Sequence, residues 1–122
     1  MSWFGIAGLL VAGVINLLPL PGAFGASALA RLYDIRTTDP NLLIMLRHRA
    51  SVFAIIGALL LGAIWRPELQ AAAILAGLAS ALSLAVIALQ TGGYSPALRR
   101  VVIADFIAIA ALIVAGIDYL VA

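Results

Sequence analysis

Four long stretches of this chain, Trp3 to Leu20, Leu42 to Trp65, Leu69 to Leu89 and Val101 to Val121, are largely apolar. A helix needs about 20 largely apolar residues to cross the hydrocarbon of a bilayer, and each stretch meets or nearly meets that length. Inside lipid a backbone must satisfy its own hydrogen bonds, so such segments fold as helices. Composition agrees, with 66% of the 122 residues hydrophobic and 10% charged; ordinary soluble domains have about 45–50% and about 25%. A domain this small could not hide so much apolar surface from water. A soluble enzyme and a disordered regulator are excluded, and the absence of cysteine excludes a disulfide scaffold. The expectation is an all-α, integral membrane four-helix bundle forming a single domain over residues 1–122.

The boundaries share a local cause. Asp39-Pro40, Arg66-Pro67-Glu68 and Ser95-Pro96 precede the second, third and fourth spans. Proline suits a first helical turn because the N–H it lacks would be unpaired there anyway. Asp39 and Ser95 are good cap residues, and Glu68 suits the positive start of a helix. Span one instead runs into Pro19-Leu20-Pro21-Gly22, which stops or kinks it. Phe24 to Ile35 then reads as a short interfacial helix that rests at the membrane surface or folds back on the bundle, with Phe24, Leu29, Leu32 and Tyr33 on its apolar face. Met1 to Asn16 has no positive segment of the kind that opens a signal peptide, so span one is read as a retained helix.

Arginine placement suggests an orientation. Arg31, Arg36, Arg47 and Arg49 precede or open span two, Arg99 and Arg100 precede span four, and Arg66 alone lies between spans two and three. By the positive-inside rule the first and third connections face the cytoplasm and both termini lie outside a bacterial-type inner membrane. Trp3 and Trp65 then fall together in the outer headgroup layer, where indoles are favoured. A net charge of +2 spread along so apolar a chain does not point to nucleic acid.

Helices associate in lipid through close packing or polar contacts. Ala54, Ala58 and Gly62 form a four-residue ladder, as do Ala73, Gly77 and Ala81; Gly8 with Ala12 and Ala104 with Ala108 extend the pattern. These ladders pack the bundle internally or form a homodimer interface. Ionisable groups in hydrocarbon are costly and face the bundle interior or water. Arg47, His48 and Arg49 lie roughly 10–14 Å beyond Pro40, and Asp105 lies about 13 Å beyond Pro96, at 1.5 Å per residue. One arginine is therefore expected to meet Asp105 and the other to snorkel. Arg47 is taken with Asp105 as the buried pair, although spacing alone does not decide between Arg47 and Arg49.

Asn16, Gln90, Tyr33, Tyr94 and His48 fall near the same level and, with Asp105, are candidates to line a small pocket. They are either staples of the bundle or a binding site for a lipid headgroup or quinone. No catalytic or metal site is expected. His48 is the only histidine and stands between two arginines, which oppose a cation. No nucleophile is evident for it to serve, and haem would have only that imidazole. Asp118 is read as solvated at the outer interface, where it suits a helix C-terminus poorly.

The segments Arg31-Leu-Tyr-Asp-Ile, Asp39-Pro-Asn-Leu-Leu-Ile-Met-Leu-Arg-His-Arg-Ala with Gly57, and Gly93-Tyr-Ser-Pro-Ala-Leu-Arg-Arg-Val-Val-Ile-Ala-Asp resemble the DoxX-like group of small bacterial four-span proteins. The resemblance implies the architecture, and implies that Arg47, His48, Arg49 and Asp105 lie in characteristic segments, without assigning them a chemistry. The expected function is a non-catalytic inner-membrane bundle binding a lipid or quinone-like amphiphile, or serving as an accessory in a larger membrane complex. The alternative is a dimeric small-solute transporter in which Asp105 titrates. On the first reading, removing the Asp105 carboxylate destabilises the bundle by stranding an arginine.

Overall fold

The computed structural model describes residues 1–121 and contains five α-helices: α1 (Trp3–Leu17), α2 (Ala26–Tyr33), α3 (Pro40–Gly62), α4 (Gln70–Thr91) and α5 (Pro96–Val121). Short 3-10 turns at Leu20–Phe24 and Pro67–Leu69 lead into α2 and α4. Four helical segments, Trp3–Phe24, Pro40–Gly62, Pro67–Thr91 and Pro96–Val121, are long and apolar enough to cross a membrane. Large apolar side chains, among them Ile44, Leu75, Leu89 and Leu120, stand mostly exposed on the outside of the bundle. The protein is a multi-pass membrane protein.

The proline signals set the helix starts. Asp39 caps α3 by accepting the Asn41 N–H at 3.0 Å, and the Ser95 hydroxyl accepts the Leu98 N–H at 3.2 Å. Both helices begin at the proline itself, so α3 and α5 start two and five residues earlier than their apolar stretches. Gly92 and Gly93 make the turn between α4 and α5 at φ of 65° and 68°, a region that favours glycine.

Packing runs in a ring. α1 lies against α3 and α5, and α4 lies against α5 and, less closely, α3. Leu9, Leu60 and Leu112 have no exposure, and Ala12, Ala63, Ala73, Ala108 and Ala115 fill the spaces between them. Close approach occurs at glycines: a Cβ on Gly57 would lie 2.8 Å from the Gly13 carbonyl oxygen, and one on Gly8 would strike the Ala111 carbonyl. Of the ladders, Gly8–Ala12 and Ala73–Gly77–Ala81 face inward, as does Ala108. Ala54, Ala58 and Gly62 instead lie toward the outer surface, because Ala50, Phe53, Gly57 and Leu60 form the inner face of α3.

α2 folds back on the bundle where α1 ends and α3 and α5 begin. Ala28, Leu29 and Tyr33 are its buried face, whereas Phe24 belongs to the preceding turn and is exposed. The Arg47 Nε–H holds that turn by donating to the Ala23 carbonyl at 2.9 Å. At the opposite end, Gln70 Nε2 donates to the Ala63 carbonyl at 3.1 Å and joins α4 to the end of α3.

Asp118 is not merely solvated. Its carboxylate accepts the Ser2 backbone N–H at 2.8 Å and the Ser2 hydroxyl. The charge that suits the end of α5 poorly therefore lies at the positive start of antiparallel α1. Gly5 makes room for it, since a Cβ there would overlap the carboxylate.

Candidate functional site

Arg49 and Asp105 each come nine residues after the proline that opens their helix, Pro40 or Pro96. Equal offsets from one end bring them to equal depth, about 13 Å in at 1.5 Å per residue. The Asp105 side chain is 7% exposed and Arg49 is half-buried. Arg47 is exposed and committed to Ala23, so the expected Arg47–Asp105 pair is not formed.

Arg49 does not form an ion pair with Asp105 either. Among the described residues the ion pairs are Arg36–Asp34 at 3.9 Å and Arg66–Glu68 at 2.7 Å, both on the surface. Instead the Arg49 guanidinium carbon stands 4.5 Å from the centre of the Phe53 ring and 5.3 Å from that of Tyr33. Phe53 is one turn along the same helix face, and Tyr33 comes from the last turn of α2. Two aromatic faces thus stabilise a charge in apolar surroundings.

Among the described residues, three buried polar atoms have no hydrogen-bond partner: Tyr33 Oη, Arg49 Nη2 and Asp105 Oδ2. Buried polar groups in proteins are nearly always bonded, and leaving one unsatisfied costs about 1–3 kcal/mol. Where the residues that carry such orphans border a cavity, they mark a position for something other than the chain. Tyr33 and Asp105 line a cavity of about 240 Å³ between α1, α2 and α5. Ile15 and Leu18 form its α1 wall, Leu32 and Val101 add apolar surface, and the exposed Arg31 and Arg100 stand at its edge.

The other candidate residues lie elsewhere. The buried Asn16 amide donates to the Ala12 carbonyl of its own helix at 2.8 Å, a bond internal to α1. His48 and Gln90 are exposed, and Tyr94 is half-exposed in the α4–α5 turn; none of the four lines the cavity. Gln90 and Tyr94 fail to reach it because α4 and its turn lie away from the α1–α2–α5 junction. Arg31 and Arg100 join the site although the sequence singles them out only as orientation signals. No cluster of three or more metal-binding side chains occurs among the described residues. The arrangement offers an acceptor, a hydroxyl and two flanking cations around an apolar slot, which is chemistry for binding.

No family model matches this chain, and no curated protein or solved structure is significantly similar to it. The functional reading therefore rests on the geometry.

Proposed function

We propose that this protein is a non-catalytic helical bundle of a bacterial-type inner membrane that holds an amphiphile, a membrane lipid or a quinone, in the slot between α1, α2 and α5. One observation carries the reading: Tyr33 and Asp105, each more than nine-tenths buried, line one cavity, and each carries a buried polar atom with no hydrogen-bond partner among the described residues. Apolar walls on one side and Arg31 and Arg100 on the other suit a molecule with a tail and a polar head. The expected resemblance to the DoxX-like four-span proteins bears on the architecture and assigns no role, and service as an accessory subunit is the other form of this reading. A transporter needs a polar path beyond Asp105. The interior there is Leu9, Leu60, Ala108, Leu112 and Ala115, all without exposure, which favours binding over transport.

Ala104 lines the cavity, so Ala104→Phe fills it. Native mass spectrometry of protein gently released from its membrane is expected to find a discrete extra mass on the unmodified chain and little on Ala104→Phe. Equal retention by both would remove the slot as the binding place.

The orientation follows from charge. Arg31, Arg36, Arg47, Arg49, Arg99 and Arg100 gather at one end of the bundle, and the exposed Trp3, Phe4 and Trp65 at the other. We take the arginine end as cytoplasmic, with both termini outside. The chain has no cysteine of its own, so an impermeant maleimide applied to intact cells should label Glu68→Cys and spare Thr38→Cys. The reverse pattern would invert the topology.

A further inference from the structure

Resting on the amphiphile reading, we infer that the slot selects a headgroup carrying both a phosphate and a free hydroxyl, that is, a polyol phosphate, over a quinone or a zwitterionic headgroup. The inference comes from what each lining group lacks. Asp105 Oδ2 is an acceptor without a donor, and Tyr33 Oη can both donate and accept but does neither. A hydroxyl is the group that suits either need, because it can give a proton to a carboxylate and accept one from a phenol. A quinone presents only carbonyl acceptors. It could take the Tyr33 proton but would set an acceptor against an acceptor at Asp105.

Arg31 and Arg100 supply the other half. Both are exposed at the edge of the slot, on α2 and α5, and neither forms an ion pair among the described residues. Two guanidinium groups flanking one opening suit a phosphate, which takes paired N–H donors from each. Ala97, in the first turn of α5, lines the same opening, so the positive end of that helix adds to the field. Charge favours the same choice: Arg31, Arg100 and nearby Arg49 outnumber the single carboxylate of Asp105, leaving the site short of negative charge. The apolar contribution of Ile15, Leu18 and Val101 accepts the start of an acyl chain without distinguishing one lipid from another.

The test loads delipidated protein in detergent with equal amounts of phosphatidylglycerol, phosphatidic acid, phosphatidylcholine and a short-chain ubiquinone, and reads retained adducts by native mass spectrometry. Phosphatidylglycerol, which has both groups, should be retained most. Arg31→Gln with Arg100→Gln should lower that retention about tenfold, the equivalent of one charge-assisted contact. Tyr33→Phe removes one atom and should narrow the preference for phosphatidylglycerol over phosphatidic acid, which lacks the hydroxyl. Soluble glycerol 3-phosphate separates two sources of the same chemistry. A melting shift matching that of the lipid would make the occupant a free phosphate ester, and no shift together with preferential retention of phosphatidylglycerol would make it the membrane lipid; both support the polyol-phosphate choice. Preferential retention of ubiquinone, or equal retention of all four with displacement by Ala104→Phe, would overturn headgroup selection and leave the amphiphile site standing. Retention of none by the folded protein would overturn both.

Discussion

Valine in place of Gly57 will unfold the bundle at a markedly lower temperature than the unmodified protein. At this position α1 and α3 approach through their backbones. A Cβ on Gly57 would lie 2.8 Å from the Gly13 carbonyl oxygen and 3.2 Å from the Leu17 nitrogen, neither of which can rotate away. Overpacking a closely packed site costs about 1–3 kcal/mol when side chains can adjust, and more when backbone must move. Gly62, five residues further along the same helix, is open: a Cβ there would meet nothing within 4 Å. Gly62→Val therefore supplies the control and should melt like the unmodified chain. Thermal unfolding in one detergent compares the three proteins. Equal melting of Gly57→Val and Gly62→Val would contradict the α1–α3 crossing.

The second large effect separates a staple from a binding group. If Asp105 held the bundle together by a buried pair with arginine, removing its charge would cost about 3–5 kcal/mol. Here no bond joins Arg49 to Asp105, and Arg49 already rests on Phe53 and Tyr33. Asp105→Asn should therefore melt, once stripped of lipid, much closer to the unmodified protein than breaking a bonded pair would allow. Its retention of the native adduct should fall about tenfold, as expected when a charged acceptor becomes a neutral one. A collapse in melting temperature with the adduct retained by the surviving folded fraction would restore the staple.

The architecture is legible in the sequence because its causes are local. Apolar length gives the spans, and Asp39-Pro40 and Ser95-Pro96 give the starts of α3 and α5. The site is legible in part. Asp105 and Tyr33 stand out as polar groups in or beside apolar segments, and both line the cavity. The choice between the arginines does not follow from their angle around α3. Arg47 and Arg49 stand about 80° to either side of Gly57 at 100° per residue, so the contact at Gly57 leaves them symmetric. The side on which each neighbouring element packs decides between them: Arg47 reaches the turn at Ala23, and Arg49 lies against Tyr33. The equal nine-residue offsets from Pro40 and Pro96 are a usable signal for Arg49. Asp118 escapes a sequence reading for a related reason, since its partner Ser2 lies at the far end of the sequence and only antiparallel packing brings them together.

The proposed place for a ligand is the slot where Tyr33 and Asp105, each with an orphaned polar atom, lie together. Native mass spectrometry of the unmodified protein, released gently from its own membrane, tests it most directly. One discrete amphiphile mass per chain is expected to survive conditions that strip loosely held lipid. Folded chains that emerge bare under those conditions would contradict it.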